Sequence, residues 1–174
     1  ALLFLGFAGA FRRSELVAVQ IEDLTFTTQG MVVFIPQSKG DQLGAGSEIA
    51  IPYAPQKEIC AVRAVRNWME AAGITSGPLF RGFKRNLQPR DTQLNDKAVA
   101  EIVKKYMARL GLDPSDFAGH SLRRGFATSA AQHDLNTLEI MRQTRHKSEK
   151  MVHRYIEQGN LFKENALGKM FNKK

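Results

Sequence analysis

The chain has 174 residues, 43% of them hydrophobic, which is the size of one domain with enough apolar side chains for its own core. Lys and Arg number 25 against 17 Asp and Glu, and the net charge of +8 favours a polyanionic partner, most simply nucleic acid, over an acidic small molecule. No long apolar span or amphipathic basic anchor supports binding at a membrane, and the single Cys60 excludes an intramolecular disulfide and suits a reducing compartment.

The opening ALLFLGFAGAF is apolar and ends in small residues, as a signal peptide does. It lacks a leading methionine and a basic n-region, and it runs straight into Arg12 and Arg13. Leu2 to Phe11 therefore reads as a core helix at the start of a fragment, with Gly6 and Gly9 allowing close packing or an early end. In FRRSELVAVQIEDL, the residues Arg12, Leu16 and Val19 fall on one helical face, so Arg12 leans toward the core with Glu15 as its support. From Thr25 the period becomes that of strands. TFTT, a Gln-Gly turn, MVVFI and EIAIP predict a small antiparallel sheet, with Lys39 on the Gly- and Ser-rich connection from Pro36 to Ser47.

Ile59, Val62, Val65 and Met69 predict a helix that stops at Gly73. Residues 76–92 read as an irregular basic loop containing Phe80 and Phe83, a mix that suits phosphate-backbone contact as well as plain solvation. Asn95 or Asp96 caps the next helix, with inner stripe Val99, Ile102, Val103, Tyr106 and Leu110. The stretch His120 to Thr128, HSLRRGFAT, opens another helix. On its wheel Leu122, Phe126 and Ala130 form the buried face, Arg123 falls inside that sector, and Arg124 points to solvent. An inward arginine needs an anion. A shorter helix follows from Asn136 to Gln143. Ser148 then caps a helix with Met151, Val152, Tyr155 and Ile156 on its inner face, and Phe162 to Phe171 forms a last basic segment with an apolar side.

No cluster of carboxylates, zinc pattern, HExxH, Walker loop or GxGxxG is present, so neither a metal nor a nucleotide cofactor is expected. What remains is a set of cations and one phenol: Arg12, Lys39, His120, Arg123, His146 and Tyr155. Two inward arginines can clamp the non-bridging oxygens of a phosphodiester and stabilise the charge of a pentacoordinate transition state. A tyrosine can attack once its phenolate is favoured, and a lysine or histidine can protonate the leaving oxygen. These residue types fit covalent phosphoryl transfer without metal.

Three boxes and a lysine carry a specific resemblance. FRRSEL (Phe11 to Leu16), HSLR (His120 to Arg123), and His146 followed nine residues later by Tyr155 stand in order, with Lys39 on the hairpin loop. In these the chain resembles the catalytic domain of the tyrosine recombinases, or phage-type integrases. The resemblance implies a mainly α fold with a small antiparallel β-sheet (α+β), spanning 1–174 as a catalytic domain without its N-terminal DNA-clamping domain and first helix. It implies that Tyr155 attacks a scissile DNA phosphate to form a 3′-phosphotyrosyl link. Arg12 and Arg123 would hold the phosphate, Lys39 would be the general acid, His120 and His146 would assist, and Glu15 would orient Arg12. No cofactor is implied. The implied partners are double-stranded DNA and other protomers, in a tetrameric synapse where residues 162–174 dock in trans, and the setting is cytoplasmic and DNA-associated. Candidates for DNA contact are Arg81, Lys84, Arg85, Arg124, Arg145 and Lys147. Arg145 stands where the family most often has glycine. The rival readings are a type IB topoisomerase-like nicking-closing enzyme and a catalytically silent DNA-binding module of the same fold.

Overall fold

A computed structural model of the chain describes residues 1–36, 45–86, 88–160 and 166–171. The chain divides into two compact units, Ala1–Arg123 and Arg124–Lys174.

In the first unit, helices α1 (Leu2–Ala8) and α2 (Arg13–Ala18) precede an antiparallel sheet of β1 (Leu24–Phe26), β2 (Gly30–Ile35) and β3 (Ser47–Pro52), in that order. Alternation sets the register: Met31 pairs with Ile51 and Val33 with Ile49, and all four side chains are buried. Gly30 begins β2 where a Cβ would lie 2.2 Å from the Ile51 carbonyl oxygen, so only glycine fits the turn after Gln29. Helix α3 (Ala61–Ala72) lays Val62 and Val65 into the core and ends where Gly73 takes a left-handed conformation, φ 62°. Leu5, Phe11, Leu16, Leu79 and Val99 complete this core. The Cys60 thiol is buried within it and accepts the Ala54 N–H at 3.4 Å, in line with a packing role.

Helix α1 takes the early end that its glycines allow and stops at Ala8, where Gly9 and Ala10 turn the chain. Three expectations for this unit change. Where an irregular loop was expected over 76–92, β4 (Arg81–Phe83) and β5 (Pro89–Gln93) pair as antiparallel strands, with Phe80 buried. Trp68 on α3 fixes the base of that strand pair, donating its indole N–H to the Leu79 carbonyl at 2.8 Å and meeting Phe83 edge-on. Ile59 lies outside α3 in a 3-10 turn and is exposed. Helix α4 (Asp96–Arg109), capped by Asn95, buries only Val99 and Val103, while Tyr106 and Leu110 at its far end are exposed. Tyr106 is covered instead by the Arg109 guanidinium, 5.2 Å from its ring centroid.

Helix α5 (Ser121–Gln132) begins in the first unit, and the division falls inside it. The second unit continues with α6 (Thr137–Thr144), α7 (Glu149–Asn160) and α8 (Ala166–Phe171). Asn136 caps α6 in a reciprocal box with Glu139. The core here is small: Ala127, Ala130 and Ala131 from α5, Ile140 from α6 and Val152 from α7, flanked by Phe126, Met141, Tyr155 and Ile156. The alanines let α7 approach closely, for a Cβ on Gly159 would sit 2.9 Å from that of Ala131 and 3.0 Å from the Thr128 carbonyl. Met151, expected inside, is exposed because Val152 takes the central inward position. Among the described residues no helix is long and apolar enough to cross a membrane.

Candidate active site

The turn between α1 and α2 organises the first unit's share of the site. Gly9 has no room for a side chain, since a Cβ would meet the Phe11 ring at 2.0 Å. Ala10 takes φ 45°, a conformation that L-residues adopt at a cost, and buried Phe11 anchors the turn below. Arg12 follows in extended conformation as the N-cap of α2. It is therefore not on the helical face with Leu16 and Val19, as its spacing suggested. The Glu15 carboxylate is what makes the helix start just after Arg12: it accepts the Arg12 backbone N–H at 2.9 Å and pairs with Nη1 at 2.5 Å. A carboxylate with 3% of its side chain exposed needs both contacts. The Arg12 side chain keeps 22% exposure while its Nη1 is held by Glu15.

Arg123 lies in the first turn of α5, 5% exposed, and its Nη1 donates to the Ala10 carbonyl at 2.7 Å. Both arginines thus hang on one short turn, one through Ala10 and the other as a member of it. Each has an arginine neighbour that is directed elsewhere. Arg13 pairs with Asp96 at 3.0 Å, its stem packed on Gly119, and Arg124 is exposed. The close approach of α1 to α5 depends on Gly6, where a Cβ would lie 2.6 Å from Leu122 Cδ1. His120 precedes α5 and is exposed, next to Ser121, whose hydroxyl accepts the Ala118 N–H.

The second unit brings His146 and Tyr155 together. Their rings stack with centroids 5.9 Å apart and planes 26° from parallel. His146 is buried, and its Nδ1 lies 2.8 Å from the Thr144 hydroxyl. Between them Arg145 ends α6 in the left-handed conformation, φ 57° and ψ 37°. The position that favours glycine thus keeps a glycine-like backbone although it carries arginine. Arg145→Gly is expected to stabilise the fold by about 0.5–1 kcal/mol, the left-handed strain relieved less the extra freedom of an unfolded glycine; urea unfolding checks it, and a lowered midpoint contradicts it.

The remaining candidates are scattered. Lys39 lies outside the described residues. Arg81 donates to the carbonyls of Pro78 and Ser76, so it closes its own loop, whereas Lys84, Arg85 and Lys147 are exposed. Among the described residues no three of His, Cys, Asp and Glu are grouped as metal ligands. Two groups that hold candidate residues in place escaped sequence reasoning. The Ala10 carbonyl is a backbone atom reached from 113 residues away, and no local pattern marks it. Thr144 was visible only as a polar residue two positions before a histidine.

Residues 1–160 match the family model of the phage integrase family. The integrase/recombinase xerD homolog of Selenomonas ruminantium is 69% identical over 173 residues, which is 99% of this chain and 51% of that protein. The chain thus spans about half the length of this curated relative. Among solved structures, the XerH site-specific recombinase bound to difH substrate, in a pre-cleavage complex, aligns with TM-score 0.67 at 16% identity over 99% of this chain and 44% of that one. The XerA recombinase aligns with TM-score 0.65 at 16% identity over 98% and 55%. The expected fold, mainly α with a small antiparallel sheet, is borne out.

Proposed function

Since the chain belongs to the phage integrase family, we propose that it is the catalytic part of a site-specific DNA recombinase that cuts and rejoins strands through a 3′-phosphotyrosyl intermediate on Tyr155. The observation that carries this reading is the pair of arginines held on the Gly9–Arg12 turn, Arg123 through the Ala10 carbonyl and Arg12 through Glu15.

Reaction at one scissile phosphate requires both sets of residues. Arg12 and Arg123 bind the non-bridging oxygens and oppose the charge that builds as phosphorus becomes pentacoordinate. The Tyr155 oxygen loses its proton to a neighbouring base and forms the new P–O bond. The bond from phosphorus to the 5′-oxygen breaks, and Lys39 protonates that oxygen as it leaves. His120 and His146 assist proton transfer and phosphate binding. One phosphodiester is exchanged for another, so religation to a second strand needs no ATP. The exposed cations Lys84, Arg85, Arg124 and Lys147 supply backbone contacts to double-stranded DNA. In α8, Leu167, Met170 and Phe171 are exposed, which supports docking of residues 162–174 on another protomer in a tetrameric synapse.

The full-length protein, incubated with a nicked suicide substrate built on its recombination site, is expected to give an SDS-resistant protein–DNA adduct that survives EDTA. No adduct, or one that requires a metal, overturns the reading. Relaxation of supercoiled plasmids lacking any site would favour the nicking-closing alternative.

A further inference from the structure

The residue ahead of Arg145 has a part that the mechanism does not yet use. Thr144 is fully buried at the end of α6, and its hydroxyl oxygen has two polar neighbours: the Ile140 carbonyl at 2.7 Å and His146 Nδ1 at 2.8 Å. A hydroxyl has one proton to give, and a carbonyl oxygen can only accept. If the threonine donated to the histidine, its oxygen would face the Ile140 carbonyl at 2.7 Å with no proton between them, a repulsive contact in a site closed to water. One arrangement satisfies all three groups. His146 Nδ1–H donates to Thr144 Oγ1, and Thr144 O–H donates to the Ile140 carbonyl.

The geometry points to Thr144 as a positioning residue that fixes the tautomer of His146, so that the neutral imidazole carries its proton on Nδ1 and offers an unprotonated Nε2. The consequence for chemistry rests on the function proposed above. In this tautomer neutral His146 accepts a proton at Nε2, and once protonated there it donates to a phosphate oxygen while Nδ1–H stays on Thr144. It is thereby able to exchange a proton at Nε2 during the reaction, with the ring held in one orientation by Thr144. The imidazolium formed on the way keeps its Nδ1–H on the same relay. That relay ends at the Ile140 carbonyl, an acceptor that favours keeping the proton on Nδ1. The left-handed turn at Arg145 is what places residue 146 back over the end of its own helix, within reach of residue 144.

Long-range nitrogen-15 NMR of the histidine rings in the full protein, at a pH where imidazoles are neutral, reads the tautomer without reference to activity. The expected result is a protonated Nδ1 and an unprotonated Nε2 for His146. Thr144→Ser keeps that signature. Thr144→Val, which keeps the shape and loses the hydroxyl, shifts the population toward Nε2–H. A wild-type Nε2–H tautomer, or an unchanged signature in Thr144→Val, overturns the assignment. If Thr144→Val does not fold, the wild-type and Thr144→Ser spectra still decide. In single-turnover cleavage Thr144→Val is expected to lower the rate on the order of 10-fold and to displace its pH profile, with Thr144→Ser restoring both. A correct tautomer in a protein that never cleaves DNA would count against the recombinase reading and leave the role of Thr144 intact. Cleavage with an unmoved pH profile in Thr144→Val would do the reverse.

Discussion

Arg123→Ala is expected to slow strand cleavage by about 10²–10³-fold or more at saturating protein, the range for removing one preorganised donor from a developing oxyanion. Arg124→Ala, one residue on, is expected to leave the rate within the bound complex unchanged. It should weaken binding, reducing the dependence of log affinity on log salt by about one unit. The contrast follows from placement: Arg123 is buried with Nη1 on the Ala10 carbonyl, and Arg124 is exposed. Alanine at 123 also removes that buried hydrogen bond, which costs about 1 kcal/mol of stability. Arg123→Lys separates the two effects, because it retains a charge but not the planar fork, and it should fold yet cleave poorly. Equal losses of cleavage in the 123 and 124 alanine variants would show that the buried arginine holds the fold and does not serve the phosphate.

Tyr155→Phe is expected to remove covalent adduct altogether while DNA affinity stays within about twofold, since phosphate contacts set that affinity. The substitution deletes one oxygen and leaves the ring, so the packing beside His146 and on the core of Val152 and Ile140 persists. Nothing else in the proposed chemistry can replace the lost nucleophile, and the effect should be all-or-none. A phenylalanine variant that still forms adduct would place the nucleophile elsewhere.

The candidate site residues could be picked out of the sequence because their order along the chain is itself a pattern, and a helical wheel separated buried Arg123 from exposed Arg124. Helix ends were legible where one residue decides them, as at Gly73, Asn95 and Asn136. What the wheel misplaced was Arg12. Periodicity treats every residue in a run as helical, and it cannot see that the Glu15 carboxylate takes the Arg12 N–H and starts the helix one residue later. Tyr106 and Leu110 failed for a different reason: their spacing is right, but α4 runs on past the core they would have filled. The pairing of β4 with β5 was hidden because its strands are short and polar, and a buried Phe80 and the indole of Trp68 hold it in place of an alternating pattern. The supports of the site, the Ala10 carbonyl and the Thr144 hydroxyl, are invisible to motif reading, since one is backbone and the other depends on a turn taken by Arg145 against its own preference.

The most direct test of the central claim is to trap the adduct from the full-length protein, digest both components, and identify the attached peptide and nucleotide by mass spectrometry. The account predicts a 3′-phosphonucleotide on the peptide carrying Tyr155, formed in the presence of EDTA, with a free 5′-hydroxyl on the other fragment. Attachment at another residue, or through a 5′-phosphate, would contradict it.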